Sequence, residues 1–165
     1  MARSDASDPA KLKDLVLRIL DENRTLSIAT LRADGWPQAT VVGFVRDGLT
    51  LYLAVSGDSQ KLENIRRDPR ASIALGHPAP GKAVRGLSMA VRAAEVEDWH
   101  EIDRLNGLIR DRYPEAVVFS PRDSRAAVIR AEPWLISIVD EAEGLHQPVL
   151  TEVSAHADLR PVSGG

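Results

Sequence analysis

The sequence predicts a mainly β fold with flanking helices, in which about six antiparallel strands form a closed or nearly closed barrel. Three observations point to it. Short segments of alternating apolar and small polar residues recur along the 165-residue chain, as half-buried strands require. Asp34-Gly35 and Asp47-Gly48 fall between such segments, and Asp-Gly is a strong tight-hairpin signal. Finally, Val41, Val42, Phe44 and Val45 cannot all point inward. One face therefore lines the interior, and the other needs helices or a second subunit over it.

The elements follow in order. Residues 1–7 read as a loose tail. Asp8-Pro9 starts a helix, since Asp caps and Pro suits the first helical position. Leu12, Leu15, Val16, Ile19 and Leu20 give it one apolar stripe. Thr25 to Leu31 alternates as a strand. Pro37 to Val45 is read as the second strand and Leu49 to Leu53 as the third, so the two Asp-Gly turns make a three-stranded meander. Ser56-Gly57-Asp58-Ser59 turns into a short helix carrying Leu62 and Ile65, ended by Pro69. Arg70 to Leu75 is the fourth strand and His77 to Lys82 a loop. Val84 to Val96 is a long fifth strand whose apolar phase shifts at Ala93-Ala94, which suggests a bulge there. Trp99, Ile102, Leu105 and Ile109 mark a helix ending near Tyr113-Pro114. Ser120-Pro121 caps a short helical turn. Val128 to Arg130 and Trp134 to Val139 form the closing strand, interrupted by Pro133. One domain is expected over 8–150, with a patternless C-terminal tail over 151–165.

Composition narrows the function. A net charge of −3 argues against a nucleic-acid surface, which needs a basic face. There is no cysteine, so no disulfide or thiolate metal site arises, in keeping with a cytoplasmic protein. The polar N-terminus lacks a signal peptide, and no apolar run is long enough to span a membrane. The four histidines, His77, His100, His146 and His156, show no metal-ligand spacing, so no metal is expected. Ser88 and Ser120 have no His/Asp arrangement for nucleophilic catalysis.

The stretch from Ala54 to Pro69 carries the most chemistry. A helix that starts just after a strand presents free N–H groups and the positive end of its dipole, a ready site for an anion. Ser59 adds a hydroxyl and Lys61 a charge, so a phosphate is expected there.

Several pieces now stand in a recognisable order: Leu26-Ser27-Ile28-Ala29-Thr30, Asp34-Gly35-Trp36-Pro37, Ser59-Gln60-Lys61, Asn64-Ile65 and Asp68-Pro69-Arg70-Ala71-Ser72. With the closing Val128-Ile129-Arg130 and Trp134 to Asp140, the chain resembles the pyridoxamine phosphate oxidase-like family of FMN-binding split barrels, as a small general-stress-protein-like member. The resemblance covers about residues 8 to 150. It implies a split β-barrel, FMN in clefts between the two barrels of a homodimer, and flavin-dependent oxidoreductase chemistry. Carried over, Ser59 and Lys61 match the phosphate-holding positions, with the Gln60 N–H between them. Thr40, Val41 and Val42 match the strand whose backbone runs along the flavin. Val55 and Ser56 match the end of the third strand, where the family usually has a Thr; Val55 departs from that, and Ser56 offers the hydroxyl one residue on. Thr40 stands where some members carry a charged Arg, which argues against vitamin-B6 oxidation itself.

Other residues are weighed on their own terms. Trp36, Trp99 and Trp134 are expected to pack, Trp99 in the core, with Trp134 also a candidate to stand beside a flavin. His146 reads as a surface residue; His146 or His77 would be the ligand if the fold held haem. Arg66, Arg67, Arg85 and Arg92 read as solvated charge, each able to add to anion recognition. No catalytic residue is assigned. The leading expectation is a cytoplasmic, homodimeric FMN oxidoreductase acting on a small molecule or a nicotinamide reductant. Its rivals are a non-catalytic flavin-binding stress or redox module, and a deazaflavin or haem protein on the same fold.

Overall fold

The computed structural model describes residues 8–76, 83–115 and 125–162. In chain order the elements are α1 (Pro9–Glu22), β1 (Thr25–Leu31), β2 (Pro37–Gly43), β3 (Val45–Asp47), β4 (Thr50–Ser56), α2 (Gln60–Arg67), β5 (Arg70–Gly76) and β6 (Arg85–Glu95). After them come α3 (Trp99–Arg112), β7 (Ala126–Asp140), a 3-10 turn (Glu141–Glu143), β8 (Leu145–Val153) and β9 (Leu159–Pro161). The expected loop at His77–Lys82 and the helical turn at Ser120-Pro121 lie outside the described residues, apart from that turn's last residues, Arg125–Ala127, where β7 begins.

All strands join one antiparallel sheet in the order β2-β1-β5-β6-β7-β4-β3, with β8 also on β7 and β9 on β8. The sheet does not close: β2 and β4 approach without pairing. This is the split barrel the sequence predicts.

The expected meander is corrected. β2 pairs only with β1, and β3 only with β4, so the second strand breaks at Phe44 and crosses to the opposite edge. Phe44 and Val45 are consecutive and both buried, Phe44 in the main core and Val45 in a second one under α3. Alternation along a strand already places neighbours on opposite faces, so the burial pattern alone does not mark the break.

The main core lies between α1, α2 and the inner sheet face, with Leu51, Leu53, Ile129, Ile136 and Ile138 at its centre. The second core lies under α3, where Ile102 and Leu105 meet Tyr52, Val96 and Val128. α1 starts as predicted, with Asp8 Oδ1 accepting from the Ala10 N–H at 2.8 Å and Pro9 following. Its far end is closed by another helix: Arg112 Nη2 donates to the carbonyls of Leu20, Asp21 and Asn23. Helix C-termini leave such carbonyls unsatisfied. Tyr113 Oη donates to the Phe44 carbonyl at 2.9 Å, which fixes the strand break.

Two further expectations change. Leu87, Met89, Val91 and Ala93 keep one inward phase along β6, and only Val96, past the strand, turns to the second core. The irregularity lies on β7: Ala90 faces Leu135 and Val91 faces Pro133, so Trp134 is the extra residue. Pro133, which lacks an N–H, fits such a break in the ladder. Beyond 150, residues 151–153 and 159–161 are strand. β8 runs on to Val153, Leu159 of β9 is buried, and Thr151 Oγ1 donates to the Ile136 carbonyl at 3.1 Å. Both strands are half polar, and β8 is held to β7 by contacts distant in sequence.

Candidate functional site

The β4–α2 junction forms as read. The carbonyl of Ser59 accepts from the N–H groups of Leu62 and Glu63, so Ser59 is the residue before the first turn of α2. Its side chain does not cap the helix: Ser59 Oγ is buried with no hydrogen-bond partner among the described residues. A buried hydroxyl without a partner carries a desolvation cost of about 1–3 kcal/mol, which a ligand accepting or donating there would remove. Lys61, two residues on, is half-buried and makes no ion pair among the described residues. Ser56 Oγ donates to Asp58.

α2 is fastened by one buried amide. Asn64 Nδ2 donates to Thr30 Oγ1 at 3.0 Å and to Gln38 Oε1 at 3.3 Å, and Asn64 Oδ1 accepts from Gln60 Nε2 at 3.1 Å. One side chain thus links α2 to β1 and to the free edge strand β2. The sequence signals Asn64 only as part of a motif and gives it no role; its partners lie 26 and 34 residues away.

The other predicted residues are spread more widely. Thr40 and Val42 are half-buried on the inner side of β2, while Val41 points outward and is 69% exposed. Thr40 Oγ1, like Ser59 Oγ, is buried and unpartnered among the described residues. The Val55 side chain is in the main core, so only its backbone is left to face a ligand. Val41 rims a depression of about 470 Å3 on the outer sheet face, with Ser27, Ala74, Gly76 and Gly86. Gly76 has a φ of +153°, and a Cβ there would stand 2.5 Å from the Arg85 carbonyl oxygen. The floor of this slot is therefore bare backbone. Ser59 and Lys61 are not among its lining residues.

The arginines divide. Arg66 forks onto Glu95 at 2.7 and 3.0 Å, Arg67 donates to the Leu31 carbonyl, and Arg85 joins Glu22 to the buried Asp140. These hold the fold together. Arg92 makes no ion pair among the described residues. A second polar cluster went unforeseen: Tyr52 Oη donates to Glu101 at 3.0 Å and accepts from Arg104 at 3.2 Å, and Arg130 Nη1 donates to both Glu101 oxygens. Burial first, then the bond to Glu101, pushes the Tyr52 phenol above its ordinary value. Each member of that cluster has at least one partner, although Arg130 Nε is buried without a hydrogen bond among the described residues, 3.8 Å from Glu132.

The expected packing of the three tryptophans is corrected. Trp36, Trp99 and Trp134 are 71, 50 and 52% exposed. Trp99 keeps helical spacing but lies at the N-terminal edge of α3, outside the second core. His146 is exposed on β8, and His77 lies outside the described residues. Among the described residues, no three His, Asp or Glu side chains could together hold a metal, and no helix is long and apolar enough to cross a membrane.

Comparisons with known proteins converge. A family model described as pyridoxamine 5'-phosphate oxidase matches residues 12–140. General stress protein 26 of Bacillus subtilis (strain 168) is 33% identical over 92 residues, which span 53% of this chain and 65% of that relative. A Listeria innocua structure assigned as a pyridoxamine 5'-phosphate oxidase is 28% identical with a TM-score of 0.63, over 77% of this chain and 97% of that one. An F420 reductase is 25% identical with a TM-score of 0.57, over 73% of this chain and 94% of that one.

Proposed function

Because the chain belongs to the pyridoxamine 5'-phosphate oxidase family, whose fold is shared by flavin-, haem- and F420-binding members, we propose that it is a cytoplasmic FMN-binding oxidoreductase for a small molecule. The carrying observation is the Ser59 hydroxyl at the start of α2, buried and without a partner among the described residues, with Lys61 in the first turn making no ion pair among them. Helix N–H groups, a hydroxyl and an ammonium are the donor set a phosphate requires. Ser59, Gln60 and Lys61 would hold it, while the backbone of β2 at Thr40–Val42 and of β4 at Val55–Ser56 would run beside the rest of the cofactor. When bound, the flavin supplies the hydride or electron chemistry. This chain's residues bind and orient it: Asn64 fixes α2 against β2, and the slot at Val41, floored by Gly76 and Gly86, leaves room for a flat ring.

A second copy would complete that cleft. Val41 and Trp36 are large, apolar and exposed, and a flavin lying along an edge strand needs a further wall to exclude water. Sedimentation at micromolar protein should therefore show a homodimer.

The direct experiment is to release and identify the small molecule that co-purifies, with calorimetry of FMN binding to Lys61→Ala. Loss of a charge-assisted contact, about 1.5–3 kcal/mol, should weaken binding about 10- to 150-fold. An unchanged Kd would remove the phosphate from this place. Oxidation of reduced nicotinamide by the holoprotein separates an enzyme from a binding module. A deazaflavin is the second reading, favoured by the 25% identity to the F420 reductase; the absorbance of the released cofactor separates it from FMN, and a Soret band would identify haem.

A further inference from the structure

A second depression, of about 410 Å3, lies on the outer sheet face toward the other end of β5 and β6. Its lining includes Arg70, Arg92 and Trp134, with Pro37, Ser72 and Ala90 between them, and none of its described lining residues is a carboxylate. The flavin reading above gives these residues no task.

Three features are hard to explain by folding alone. Trp134 is the residue that the β6–β7 register skips, and it stands 52% exposed, although a buried indole would contribute more to stability. Arg70 and Arg92 face each other directly across β5 and β6, and like charges in that position destabilise a sheet. Arg70 is clamped by Asp68, its Nη2 lying 2.6 Å from Oδ2, but Arg92 makes no ion pair among the described residues. Its neighbour on the other side is Glu132, whose carboxylate lies 3.8 Å from Arg130 Nε.

We propose that Arg92 and Trp134, with Arg70, form a binding site for a planar aromatic molecule carrying an anionic group. The guanidinium of Arg92 takes a carboxylate or phosphate in its fork. The Trp134 indole stacks on the ring, and Ser72 and Ala90 leave space above the sheet. The volume suits a small organic molecule. A second copy on the outer face would form the roof of this site.

The test is calorimetry of the purified protein with 2-naphthyl phosphate, with neutral 2-naphthol and inorganic phosphate as controls. The naphthyl phosphate should bind more tightly than either control. Arg92→Gln should weaken it about tenfold or more, the loss of one charge-assisted pair. Trp134→Ala should weaken it several-fold, and Trp134→Phe should recover most of that loss. Saturating FMN, which fills the α2 site of the flavin reading, should leave it unchanged. Equal binding of 2-naphthol, or wild-type affinity in Arg92→Gln, overturns the proposal. So does displacement by FMN, which would place the probe at the α2 site and leave the flavin reading standing.

Discussion

α2 and α3 flank the split sheet and are held in opposite ways. α3 rests on an apolar cluster of Ile102, Leu105, Tyr52, Val96 and Val128, and its inward-facing charges are paired: Glu101 meets Arg130 and Tyr52, and Arg104 meets Asp47. α2 buries Leu62 and Ile65, yet its link to β2 is one amide, Asn64, and the Ser59 hydroxyl at its start has no partner among the described residues. The larger charge cluster is therefore the structural one. The flavin reading proposed above puts the ligand at the junction with fewer charges, where the Ser59 hydroxyl has no partner among the described residues.

Three substitutions sharpen that contrast. The largest effect belongs to α3: Leu105→Ala empties a fully buried site and should cost about 2–5 kcal/mol, read from urea midpoints, with little change in FMN affinity. Next is α2: Asn64→Ala leaves buried Thr30 and Gln38 groups unpaired and should cost about 1–3 kcal/mol. Unlike the first, it should also weaken FMN binding, because α2 loses its register against β2. Equal effects of both substitutions on affinity would erase the distinction between the helices.

The smallest effect is at the end of α2. Hydrogen bonds from the Arg70 guanidinium and backbone hold the Asp68 carboxyl at about 2, below its ordinary 3.8. A depressed folded value means stability that is present above pH 3.8 and lost as pH falls through 2. Asp68→Asn should therefore be less stable than the parent at pH 5, with the gap narrowing toward pH 2. A gap that persists at pH 2 would assign the role of Asp68 to shape instead of charge.

Local chemistry was legible in the sequence. Asp8-Pro9 marked the start of α1, Thr25 and Leu31 bounded β1, Asp34-Gly35 turned it into β2, and Ser59 opened α2. Partner choice was not. Nothing near Phe44 says that β3 joins the far edge of the sheet, and of the run Val41 to Val45 only Phe44 and Val45 are fully covered. β8 and β9 are specified by contacts such as Thr151 with Ile136, fifteen residues apart. Trp99 kept helical phase, which fixes a face but not how far the core extends along the helix. At the candidate site, Ser59 and Lys61 were readable from helix-start chemistry. The buried side chain of Val55 and the Asn64 link needed the third dimension.

The strand break has a mechanical consequence. Gly43 leaves one rim of the open sheet and Val45 joins the opposite rim with only Phe44 between them, so their Cα atoms stay within about 7.6 Å. The rims are pinned at that corner by covalent chain, and any widening must occur at the far mouth, where Gln38 meets Asn64. A molecule wedged between β2 and the start of α2 would act at the long end of a lever whose pivot is Phe44.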